Sequence, residues 1–89
     1  MTLLREHIGK AIRDERTKQE RSLRDVAASS FMSLGYLSEV ERGIKEVSSE
    51  VLDLICAALF MSLSDLLVEV VVASSPVVAD APDAVWVES

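Results

Sequence analysis

Apolar residues recur along this chain at helical spacing almost from its start. Leu4, Ile8, Ala11 and Ile12 fall on one stripe of a helix over residues 3–19, which Glu15 would extend, and charged residues occupy the other faces. Thr2 stands where an N-cap would. Gly9 lowers helix propensity slightly and permits close packing against a neighbour. After a polar connection from Lys18 to Arg21, Ser22-Leu23-Arg24-Asp25 has the form of a capping box, in which the Ser22 hydroxyl and the Asp25 carboxylate each accept a backbone N–H. The short helix that follows turns Leu23, Val26 and Ala27 inward and ends at Ser29 and Ser30. Ser33 is the next N-cap. It opens a helix through Arg42 with Leu37 and Val40 on the buried side, which Gly43 stops from the position just past its end.

The second half continues in the same way. After a linker from Ile44 to Val47, Ser48 or Ser49 caps a fourth helix that carries Val51, Leu52, Ile55, Cys56 and Leu59 inward. Ser62-Leu63-Ser64-Asp65 is a second capping box. The fifth helix, over residues 63–73, places Leu63, Leu66, Leu67, Val70 and Val71 at i, i+3, i+4, i+7 and i+8. Val68 and Val72 widen that stripe beyond what one small core needs, so Leu66, Leu67, Val70 and Val71 are expected to form a homodimer interface. From Ser74 onward the chain turns to Ser, Pro, Ala, Val and Asp, with Pro76 and Pro82 blocking a helix and Trp86 standing alone. Residues 74–89 are expected to be a flexible acidic tail. The tetrapeptide Phe-Met-Ser-Leu occurs at Phe31–Leu34 and again at Phe60–Leu63, each time at a corner between helices.

Composition fits this pattern. The 89 residues suffice for one small domain, and 49% are hydrophobic but only 4% aromatic, so the core must be aliphatic. Cys56 is the only cysteine, which leaves no intrachain disulfide, and its place on the buried stripe reads as core. The net charge of −6 argues against nucleic acid until its distribution is considered. Residues 1–47 hold nine Lys/Arg against eight Asp/Glu, whereas residues 48–89 hold seven acids and no Lys or Arg. An acidic half turned away from a duplex tolerates a locally basic reading face.

Ser22 to Arg42 therefore has the layout of two short helices joined by a tight turn, which holds the second helix where its N-terminal side chains can enter a major groove. Leu23-Arg24-Asp25-Val26-Ala27, and then Ser33-Leu34-Gly35-Tyr36-Leu37-Ser38-Glu39-Val40-Glu41-Arg42-Gly43, resemble the Cro/repressor-type (XRE) helix-turn-helix family. The likeness runs from about Ile8 to Leu67. More narrowly, Ser33 to Leu59, with Ile44-Lys45-Glu46-Val47-Ser48-Ser49-Glu50 inside it, is similar to the actinobacterial clp gene regulator (ClgR) family, whose members activate genes for ATP-dependent proteases and stress responses. The resemblance implies an all-α, five-helix Cro/repressor-like domain over residues 3–73 with its motif at about 22–42. It also implies a cytoplasmic, nucleoid-associated transcription regulator that binds double-stranded DNA as a homodimer, on a pseudo-palindrome with half-sites roughly 34 Å apart.

Carried over position by position, Ser33, Leu34, Gly35, Ser38 and Glu39 fall where the family's recognition helix meets base edges or adjacent phosphates. Leu34 offers apolar contact, best with a thymine methyl; Gly35 allows close backbone approach; Glu39 can accept from a cytosine amino group. Arg24, Tyr36, Arg42 and Lys45 suit phosphate contacts, which position without specifying sequence. Arg16 and Glu41 match a family pair that ties the first helix to the recognition helix. Three departures stand out. Leu23 replaces a polar contact residue. Phe31 replaces a turn glycine where a left-handed backbone is costly, and Val47 replaces a proline, so altered loop geometry is expected at both.

No Ser/His/Asp arrangement or phosphate-cradling glycine loop is present, His7 lacks companion ligands, and no catalysis, metal or cofactor is expected. Arg5, Glu6 and His7 interrupt any signal-peptide core, and no apolar run is long enough to span a bilayer. The competing reading is a protein-interaction module, or an antitoxin whose tail binds a protein partner.

Overall fold

The computed structural model describes residues 3–74, which form five helices: α1 Leu4–Lys18, α2 Leu23–Ser29, α3 Leu34–Glu41, α4 Ser49–Ala58 and α5 Leu63–Ser74. The described residues contain no strand. No single described helix is long and apolar enough to cross a membrane. The expectations for Thr2, Trp86 and the tail from residue 75 lie outside the described residues.

Helix starts follow the serines. Ser22, Ser33 and Ser48 each accept the backbone N–H three residues on, from Asp25, Tyr36 and Val51. The box at Ser62 is complete, with Asp65 N–H donating to the Ser62 hydroxyl and Ser62 N–H to the Asp65 carboxylate. At Ser22 only half of it forms, because the Asp25 carboxylate accepts from Arg21 Nε at 2.7 Å instead. α1 starts without a hydroxyl cap: Leu3 is its N-cap, and the Glu6 carboxylate accepts the Leu3 N–H.

Four helices end alike. Glu20, Phe31, Gly43 and Phe60 each follow a helix with φ between 58° and 75°, and each donates its N–H back to the carbonyl three residues earlier. The next residue in each case (Arg21, Met32, Ile44, Met61) donates to the carbonyl five residues back, completing a Schellman motif. Altered loop geometry at Phe31 is therefore not what the structure shows. Phe31 takes the same left-handed backbone and bonding as Gly43, with φ 61°. The repeated Phe-Met-Ser-Leu is the same device used twice, at the ends of α2 and α4.

α1 packs on α3 and α5, α2 on α3 and α4, and α4 on α5. Their shared core contains Ile12, Val26, Leu37, Ile55, Leu59 and Leu66, all effectively fully buried. Burying each of these larger aliphatic side chains stabilises by about 1.5–3 kcal/mol. The core stripe of α1 is narrower than its periodicity suggests: Ile8, Ala11 and Ile12 are buried, but Leu4 is exposed. Leu23 and Val47 both pack against the core, which gives an apolar side chain at each position a role in the fold.

Candidate nucleic-acid interface

α3 is held at both ends. At its start the Ser33 hydroxyl accepts the Tyr36 N–H at 3.1 Å, and Tyr36 itself is half-buried against the core. At its end α1 comes so close that a Cβ on Gly9 would lie 2.3 Å from the Val40 carbonyl oxygen. There the Arg16 guanidinium donates two bonds to the Glu41 carboxylate, Nε at 2.7 Å and Nη2 at 3.0 Å. Its third nitrogen donates to the Arg21 carbonyl. The hydrogen bond to Glu41 raises the Arg16 pKa above its ordinary value despite the opposing effect of burial. α3 is thus firmly anchored to the rest of the domain.

Between these anchors α3 shows a short surface that is apolar at its start and polar further on. Leu34 and Gly35 are exposed, Ser38 and Glu39 are half-buried, and Arg42 is exposed at the C-cap. Arg24 is exposed on the first turn of α2. Neither Arg24 nor Arg42 has an ion-pair partner among the described residues. Lys45 Nζ lies 3.9 Å from Glu39 Oε1, and both side chains remain about half exposed. That contact is worth little to stability but softens the field of the Glu39 carboxylate. Ser33 and Tyr36 are partly committed elsewhere, to the cap and to the core.

The expected dimer interface divides in two. Leu66 and Val70 are 0% and 2% exposed, buried against the other helices of the same chain, and so belong to the core and not to an interface. Leu67 and Val71 remain exposed, and Val68 and Val72 continue their strip along α5. Beside that strip a groove of about 330 Å³ runs between α1 and α5, with Ala11 and Val72 on its apolar side and His7, Lys10, Asp14 and Glu69 around it. Glu69 stays exposed, but partial desolvation at the foot of this groove, and then the Glu15 carboxylate, push its pKa up. Cys56 is buried, and desolvation followed by Asp53, Asp65 and Glu69 raises its thiol to about 11, which keeps it protonated and unreactive. No group of His, Cys, Asp and Glu among the described residues could hold a metal ion.

Periodicity gave no sign of three polar residues that frame the interface. Arg5 Nε donates to the Gly43 carbonyl at 2.9 Å and its Nη1 to Glu46, tying the loop after α3 to α1. Gln19 donates to the Leu59 carbonyl. Arg21 donates to the Ala58 carbonyl and the Ser29 hydroxyl and lies 5.3 Å from the Phe60 ring centroid, joining the ends of α2 and α4. Each is a charged or amide residue in the first turn of a helix or just past its end, indistinguishable in sequence from a solvated one.

A helix-turn-helix family model, HTH_3, matches residues 12–66. The transcriptional regulator ClgR of Mycobacterium tuberculosis is 52% identical over 67 residues, which cover 75% of this chain. Those residues span 60% of the relative, so the chain matches well under two thirds of its length. The crystal structure of the clp gene regulator ClgR from C. glutamicum superposes with a TM-score of 0.80 at 47% identity, over 84% of this chain and 97% of that one. The restriction-modification controller C.Esp1396I, in its complex with a 25 base pair operator site, superposes with a TM-score of 0.73 at 21% identity, over 80% and 93% of the two chains. That last likeness is one of fold.

Proposed function

Since this chain belongs to the helix-turn-helix family, we propose that it is a sequence-specific, DNA-binding transcription regulator that reads the major groove with α3. The observation that carries this reading is the fixing of α3. Gly9 and the Arg16–Glu41 clasp lock its C-terminal end while Leu34, Gly35, Ser38 and Glu39 stay available along it. Arg24, Arg42 and Lys45 supply phosphate contacts around that face. Base discrimination then comes from apolar contact, a carboxylate acceptor and groove shape, with no guanidinium or amide on the reading face.

The exposed strip of Leu67, Val68 and Val72 supports assembly as a homodimer through α5, which would place two α3 helices on half-sites about one helical turn apart. The likeness to ClgR points to clp genes as targets, and the reading places the protein in the cytoplasm with its DNA, as a binding protein without catalysis. Selection from a randomised duplex library at moderate salt tests the proposal. An enriched, inverted-repeat motif is expected; no enrichment overturns sequence-specific regulation. A single half-site, with a monomer in sedimentation at micromolar concentration, would overturn the dimer alone.

A further inference from the structure

The three glycines of the chain meet three different surroundings. A Cβ on Gly9 would strike the backbone of Val40 and Glu41, and Gly43 combines a φ of +75° with a contact of 2.7 Å to Glu6 Cγ. Both are required by the fold. Gly35 is not: a Cβ there would meet nothing within 4 Å, and its backbone is ordinary helix. Glycine is among the poorest helix formers, and α3 has only eight residues over which to absorb that cost. Nothing described inside the molecule gains from the missing side chain, so the reason for it lies outside.

Position 35 is on the exposed first turn of α3, one residue after Leu34 and one turn before Ser38 and Glu39. Side chains at i+3 and i+4 share its face and lean towards the helix N-terminus, over the bare backbone at Gly35. Gly35 thus leaves bare backbone on this face, with apolar Leu34 next to it and polar Ser38 and Glu39 one turn on. The major groove exposes a single apolar group, the 5-methyl of thymine. Resting on the DNA-binding reading above, we propose that Gly35 and Leu34 seat a thymine methyl directly against the α3 backbone, making Gly35 the point of closest approach and a determinant of specificity. A side chain here would lift α3 from the groove and spoil the aim of Ser38 and Glu39 together.

The test sets stability against recognition. Gly35→Ala should raise the melting temperature by about 4 °C, as a better helix residue at an open site. The same variant should bind the selected operator at least tenfold more weakly, with less than a twofold change on a non-operator duplex at the same salt. Replacing operator thymines by uracil one at a time should reveal one position per half-site whose methyl matters to the wild type and no longer matters to Gly35→Ala. Undiminished operator affinity in the variant, or neutrality of every uracil replacement, overturns the inference. A melting temperature that does not rise overturns its premise. A wild-type chain that fails to tell operator from non-operator DNA overturns the function proposed above, and this inference with it.

Discussion

Arg16 and Glu41 meet end to end across the contact of α1 with α3, two guanidinium N–H groups on two carboxylate oxygens, with only 14% and 6% of their side chains exposed. A pair so placed fixes orientation more than it adds net stability, because both charges lose their water. Removing one partner strands the other. Glu41→Ala should destabilise the domain by about 3–5 kcal/mol in urea unfolding. The double variant Arg16→Met, Glu41→Leu should cost less than the two single losses together. Additive losses would show that the two side chains act independently.

Gly9→Ala should destabilise the domain although alanine is the better helix former. The added methyl would lie 2.3 Å from one carbonyl oxygen and 2.6 Å from another, and neither belongs to a flexible side chain. Overpacking of this kind costs about 1–3 kcal/mol. The opposite signs expected for alanine at Gly9 and at Gly35 can be read from two thermal melts.

Phe31 and Phe60 hold identical left-handed corners, and both rings are exposed. Phe31→Gly should stabilise the chain by about 1 kcal/mol, by relieving a conformation that costs an L-residue that much or more. Phe60→Gly should gain less, because the Phe60 ring also lies against the Arg21 guanidinium. Equal gains in matched urea titrations would show that the ring contact contributes nothing.

Partial desolvation and the neighbouring Glu15 carboxylate favour the protonated form of the exposed Glu69 in the folded chain. The folded state therefore holds this proton to higher pH than the unfolded chain, where the pKa is about 4.3. Stability falls as pH rises through that window and stays reduced above it. Glu69→Gln should raise the melting temperature at neutral pH, and the advantage should fade on acidification below about pH 4. An advantage that persists unchanged into acid would assign it to a cause other than this carboxylate's charge.

Arg42 is exposed at the end of α3 without an ion-pair partner among the described residues. Arg42→Ala should weaken binding to operator and non-operator duplexes alike and reduce the salt slope of affinity by about one. Glu39→Gln should instead change which operator is preferred. A loss at Arg42 confined to the operator would make it a base-reading residue.

What the sequence determined by itself is what lies within one helix or at its ends. Serine caps, the Gly43 stop and the run of five amphipathic segments depend on residues at most five positions apart, so local spacing suffices to read them. The family likeness added the Arg16–Glu41 pair, which no local pattern contains. Only the tertiary structure decided which part of a broad apolar stripe is inside. Leu66 and Leu67 are adjacent and chemically identical, yet one is buried and the other exposed, because α1 and α4 approach α5 from one side only. The same holds for Ile8 against Leu4, and for Arg21, whose charge in sequence looks solvated but closes the ends of two helices. Gly35 shows the limit from the other direction. Its spacing marks it as a residue of the reading helix, but only the empty space around it shows that the fold has no need of a glycine there.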